Sequence, residues 1–131
     1  MDASDPQAIV RAFLDAMGAR ELEQAKSMLA PHFWMEFPGP VRFTELEALI
    51  EWSKPRYRSI GKTYDRFESV PQNGQTENGP TVVWCVGRLH GQWPDGHPFS
   101  GIRFVDRFTV EHGKLVDQTV WNDLAETLRS D

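Results

Sequence analysis

The sequence predicts one α+β domain, an antiparallel sheet preceded by helices, and three observations carry that prediction. Apolar residues recur at helical spacing through most of the first third. The second half alternates apolar and polar residues with period two over successive stretches separated by turn residues. The one polar, turn-rich stretch, PQNGQTENGP (71–80), is short enough to read as a mobile hairpin loop within a single domain spanning residues 1–131.

The elements follow in order. Ser4-Asp5-Pro6 supplies a capping side chain and a first-turn proline, and Ile9, Ala12, Phe13 and Ala16 then mark a helix that Gly18 stops. A second, short helix carries Leu22, Ala25, Met28 and Leu29 and ends before Pro31. His32 to Phe37 reads as a strand closed by Pro38-Gly39-Pro40. Thr44-Glu45-Leu46-Glu47 has the form of a capping box, opening a helix through Leu46, Leu49 and Ile50 that Pro55 breaks. Lys62 to Val70 reads as a strand, with Thr63, Asp65 and Phe67 alternating against Tyr64, Arg66 and Glu68. Three long strands follow, and a short helix from about Asp123 carries Leu124 and Leu128.

Turn chemistry sets an expected register for the last three strands. Glu111-His112-Gly113 suits a three-residue loop, so Val110 pairs with Lys114 and Asp106 with Gln118. Trp93-Pro94-Asp95-Gly96-His97 sets Trp93 opposite His97 and hence Trp84 opposite Asp106. The inward rows are then Val82–Phe108–Val116, Trp84–Asp106–Gln118, Val86–Phe104–Val120 and Arg88–Ile102–Asn122. One polar row with a carboxylate lies between two apolar rows. Val83, Cys85, Leu89, Val105 and Trp121 fall on the outer face.

Composition bounds the function. Fourteen basic and nineteen acidic side chains give a net charge of −5 without a basic run, which argues against nucleic-acid or anionic-membrane partners. No segment approaches membrane-spanning length, and MDASDPQ is no secretory leader, so a cytoplasmic protein is expected. A single cysteine, Cys85, excludes an internal disulfide, and His32, His90, His97 and His112 have no metal-ligand spacing. Neither a phosphate loop nor a dinucleotide fingerprint is present, so no metal or organic cofactor is expected.

The order of elements, together with F-T-V-E-H-G-K-L-V-D-Q-T-V-W-N-D at the end and A-M-G-A-R-E-L between the first two helices, resembles the nuclear transport factor 2-like superfamily, and within it the SnoaL-like group. The resemblance implies a cone: a strongly curved, mostly antiparallel sheet wrapped around N-terminal helices, with an apolar cavity inside. Members include polyketide cyclases, ketosteroid isomerases, epoxide hydrolases and dehydratases, beside non-catalytic binding and dimerisation modules. Carried over residue by residue, the isomerase base falls on Phe37, its helix-one tyrosine on Phe13, and the hydrolase aspartate on Val120. The isomerase's second acid, a hydrogen-bond donor to an oxyanion, falls near Asp106.

Asp106 is therefore the candidate catalytic residue. Desolvation by Phe104, Phe108 and Trp84 is expected to raise its pKa; the structural alternative is a carboxylate satisfied by the Trp84 indole and the Gln118 amide. Gln118, Trp84, Phe104, Phe108, Phe13, Phe37, Trp52 and Val120 are expected around a flat, apolar ligand. Arg88, Asn122 and Tyr57 are placed at the rim, where they either orient a polar ligand group or stay solvated, with Asn122 capping the terminal helix. Three functions compete: a cofactor-independent enzyme performing isomerase-, cyclase-, dehydratase- or hydrolase-type acid–base chemistry on a small hydrophobic molecule, a binder of the same ligand, or a dimerising scaffold. A homodimer through the apolar outer face of the sheet is expected.

Overall fold

A computed structural model describes residues 5–72 and 79–128. Helix α1 (Pro6–Gly18) begins at Asp5, whose carboxylate accepts the Gln7 N–H at 3.1 Å, and buries Ile9, Val10, Phe13, Leu14 and Ala16. The expected contribution of Ser4 lies outside the described residues. Helix α2 (Leu22–Lys26) is shorter than expected, because Leu29 already belongs to strand β1 (Leu29–Phe37). There the Leu115 N–H donates to Met28 O and Lys114 Nζ to Ser27 O, so pairing to the last strand overrides a helical sequence pattern.

Strand β2 (Val41–Phe43), which the sequence reading missed, folds back on Met35–Phe37 around Gly39, whose φ of 137° suits glycine alone. Helix α3 (Leu46–Ser53) forms without the expected capping box. Its N-cap is Glu45, with no side-chain cap, because Glu47 pairs with Lys26 of α2 instead of reaching back. Strands β3 (Ser59–Pro71), β4 (Thr81–Gln92), β5 (Pro98–Glu111) and β6 (Lys114–Asn122) form an antiparallel meander, and helix α4 (Leu124–Leu128) follows. The expected loop falls largely on residues 73–78, outside the described residues; beside it the Gln72 N–H donates to Pro80 O at 2.8 Å.

The result is a curved, open, six-stranded mixed sheet in the order β2-β1-β6-β5-β4-β3, with β1 parallel to β6. Helix α1 lies in its concavity, where Phe13 meets Phe108 edge-on at 5.9 Å and Phe33 at 6.2 Å.

Three irregularities decide what faces inward. The β5–β6 turn has two residues, not three: Glu111 pairs with Lys114 around His112 and Gly113, both at positive φ. A bulge then intervenes between Leu115 and Asp117, leaving Phe108 opposite Gln118, Asp106 opposite Val120 and Phe104 opposite Asn122. From Gln118 onward the faces are those expected, with the rows displaced by one pair; before the bulge Leu115 is buried in the core in place of the expected Val116. On β4–β5 the expected turn forms, with the Trp93 N–H donating to His97 O at 2.8 Å. However, β5 then bulges at Ser100-Gly101, with Gly101 at φ 72°, and β4 presents its other face. Val83, Cys85 and Leu89 are buried inside, correcting their expected outward placement. Trp84, Val86 and Arg88 point outward with Val105 and Trp121. The third bulge, at Asp65 of β3, brings Lys62 and Phe67 to the same inner face despite their odd separation.

Among the described residues no helix is long and apolar enough to cross a membrane, and no three His, Cys, Asp or Glu side chains converge as a metal site.

Candidate active site

Inside the concavity lie two adjoining cavities that share Phe37, Tyr57, Ile60 and Lys62 as walls. The larger, about 180 Å³, runs along α1 past Phe13, Leu14, Met17, Leu49 and Ile50, and has Gln118 in its wall. It reaches the surface among exposed Asp15, Gly18 and Arg20. The smaller, about 80 Å³, is walled by Trp52, Leu89, Phe104, Val120 and Leu124, with Asp106 and Asn122 as polar groups and Arg56 at its edge.

Asp106 is fully buried, and its two oxygens have different surroundings. Oδ2 accepts a hydrogen bond from Lys62 Nζ at 2.9 Å, while Oδ1 has no hydrogen-bond partner among the described residues. An unsatisfied carboxylate oxygen in an apolar interior is costly, and such an oxygen marks stored strain, a bound water or ion, or a functional role. Lys62 is a quarter exposed, and its ammonium lies 5.0 Å from the Phe104 ring centroid, a cation–π contact that supports a charge drawn into an aromatic wall. One of its three N–H donors is spent on Asp106.

The side chains packed nearest this pair are mostly apolar or uncharged, with Arg56 at the cavity edge. Cys85, directly across β4 from Asp106, has its thiol pushed up to about 12 by burial first and by the Asp106 charge second, so it stays a thiol at neutral pH. Gln118 is 3% exposed and joins the wall one pair along β6. Asn122 Oδ1 accepts the Leu124 N–H at 3.1 Å, so it caps α4 as well as facing the cavity. Across the larger cavity, Tyr64 donates to Asp15 at 3.0 Å, with Arg11 over its ring; burial and Asp15 raise the phenol's pKa.

Most of the expected site residues converge. Asp106, Phe13, Phe37, Trp52, Tyr57, Phe104, Gln118, Val120 and Asn122 line one or both cavities, and Phe108 packs behind Phe13 in the core. Two do not. Trp84 stacks on Trp121 on the outer face, ring centroids 6.3 Å apart, and Arg88 pairs loosely with Asp65 there. The bulge at Ser100-Gly101 is the reason for both. Consequently neither the Trp84 indole nor Gln118 satisfies Asp106; Lys62 does. The sequence reading missed Lys62, since strict alternation sets it with Tyr64, Arg66 and Glu68 and against Phe67. Its only sequence signal was the poor strand former Asp65, where alternation breaks.

A family model described as SnoaL-like domain matches residues 10–118. No curated protein matches the chain in sequence. Solved structures are similar throughout its length. An NTF2-like protein of unknown function from Burkholderia pseudomallei K96243 superposes with a TM-score of 0.76 at 18% identity, over 98% of this chain and 97% of that one. IdmH from Streptomyces antibioticus, a candidate polyketide cyclase, gives 0.66 at 18%, over 95% and 96%. AclR from Streptomyces galilaeus, a candidate hydroxylase, gives 0.64 at 12%, over 97% and 84%. Identities this low establish a shared fold and no more.

Proposed function

The chain belongs to the SnoaL-like domain family, and from that premise we propose that it is a cofactor-independent acid–base enzyme acting on a small hydrophobic carbonyl compound within the sheet's concavity. The observation that carries the reading is Asp106, a fully buried carboxylate among the residues lining the smaller cavity, whose Oδ1 has no hydrogen-bond partner among the described residues. A group so placed can remove a proton from a carbon next to a carbonyl. The C–H bond breaks, its electron pair becomes a C=C bond as the carbonyl π pair moves to oxygen, and Asp106 holds the proton; the enolate then either takes that proton back at another carbon of a conjugated system or attacks a second carbonyl to close a ring, the new alkoxide taking the proton. Lys62 fixes the carboxylate's orientation through Oδ2, leaving Oδ1 to act. Gln118, Asn122 and Tyr57 position the substrate, and Phe37 and Trp52 hold its apolar body. Together the adjoining cavities, about 180 and 80 Å³, suit a one- or two-ring molecule, since about 150 Å³ holds a benzene ring and the smaller cavity alone falls short of that. Similarity to a candidate polyketide cyclase supports a carbonyl- or enol-bearing substrate.

The test uses small cyclic ketones, among them 1-indanone and 2-tetralone, in heavy water. Proton NMR then follows deuterium entry next to the carbonyl. Exchange catalysed above the buffer rate is expected for at least one ketone; binding without exchange across the panel would leave a ligand-binding protein in place of an enzyme.

We further propose that two copies pair through the outer sheet face, where Trp84, Val86, Val105 and Trp121 lie together and Trp121 is 49% exposed. Light scattering at micromolar concentration should give a dimer for the parent and a monomer for Val105→Asp. A monomeric parent refutes the pairing, and a dimeric variant places it on another face.

A further inference from the structure

The two charged groups at the cavity wall are complementary in a way that the proton-transfer reading does not use. Asp106 Oδ1 is an acceptor without a donor, and Lys62 retains donors after satisfying Oδ2. Both line the smaller cavity, whose other walls are largely hydrocarbon. A ligand atom reaching both groups therefore gains most if it accepts from one and donates to the other. A carbonyl or ether oxygen can only accept, and an ammonium can only donate; a hydroxyl does both.

We infer that Lys62 and Asp106 together recognise a hydroxyl group, phenolic or enolic, on the ring of the ligand, with Lys62 Nζ donating to its oxygen and its hydrogen donated to Asp106 Oδ1. The inference rests on the cavity being the substrate site and narrows the substrate class to hydroxylated or enolisable ring compounds. It also gives Lys62 a direct part. When the hydroxyl belongs to an enol, the oxygen that gains charge as the proton leaves already sits against an ammonium, where that charge is stabilised. Phe104 beneath the ammonium and Leu89, Leu124 and Val120 in the same wall limit, without abolishing, the access of water to the quarter-exposed Lys62, so losing either hydrogen bond leaves a charged group less well satisfied.

Isothermal titration calorimetry with 5-indanol, its methyl ether 5-methoxyindane and unsubstituted indane tests this on the purified chain. The three share one ring system and differ only at the 5-position, which carries a hydroxyl, a methoxy group or a hydrogen. At least tenfold tighter binding of 5-indanol than of the ether is expected for the parent. Lys62→Met should reduce that preference to less than threefold, and Lys62→Arg, which retains the donors, should keep part of it. Equal binding of the alcohol and the ether by the parent overturns the inference without recourse to any variant. So does a preference that survives intact in a folded Lys62→Met. Ketone deuteration is read separately, so exchange with no hydroxyl preference would sink this inference and leave the proton-transfer reading standing.

Discussion

Replacing Lys62 by methionine keeps the length and most of the apolar volume of the side chain while removing the one hydrogen-bond partner that Asp106 has among the described residues. Asp106 is fully buried and its other oxygen is already unsatisfied, so the variant strands a carboxylate among Phe104, Val120 and Cys85. Removing one member of a buried ion pair costs about 3–5 kcal/mol. Lys62 is a quarter exposed, so water already screens part of the interaction, and we expect a cost below that range, about 2–3 kcal/mol. For a chain of this size that corresponds to a fall in Tm of roughly 6–10 °C. Urea titration followed by tryptophan fluorescence measures it. Because the penalty belongs to the stranded charge, Lys62→Met/Asp106→Leu should recover most of the loss, giving a coupling of about 1–3 kcal/mol in the double-mutant cycle. A single variant within 0.5 kcal/mol of the parent, or a double variant no better than the single, would refute the claim that these groups depend on each other.

Other expectations follow from the same packing. A methyl group on Gly87 would fall against the Thr63 carbonyl oxygen and 3.0 Å from the Phe104 ring, so Gly87→Ala should cost about 3 kcal/mol by urea titration; a neutral result would mean the β3–β4 ladder yields easily there. The buried Cys85 thiol should resist a disulfide reagent at pH 8 until the protein is unfolded, and rapid labelling of the native chain would contradict its position inside the sheet. Its pKa rises from 9.0 to about 12 on folding, so the stability it contributes is full below pH 9 and declines as pH rises through that window. Cys85→Ala should remove that decline between pH 9 and the onset of Tyr64 titration, which in the unfolded chain lies at 10.0.

The helices, the meander and the cone were legible because periodicity and turn residues report on local geometry, and because the terminal F-T-V-E-H-G-K-L-V motif carries the family resemblance. Asp106 facing inward was legible for a less secure reason. The shorter β5–β6 turn and the bulge at Val116 each shift the register by one residue in the same direction, so together they move it by a whole pair and restore the expected faces beyond the bulge. On β4 nothing restores them. The bulge at Ser100-Gly101 turned Trp84 and Arg88 out and Cys85 in, and its signal was present: an isolated glycine inside a strand. Lys62 was the least legible residue. Alternation fails at Asp65, and a lysine in an exposed-looking strand gives no hint that it is aimed at a carboxylate 44 positions away.

The central claim is that Asp106 Oδ1 moves a proton, and deuterium exchange by Asp106→Asn tests it most directly. The asparagine preserves shape but not basicity. With a ketone that the parent deuterates, the variant should bind within a few-fold of the parent and exchange about 10²–10⁴-fold more slowly, the usual contribution of a positioned general base. Exchange at the parental rate in a folded, ligand-binding Asp106→Asn would contradict the account.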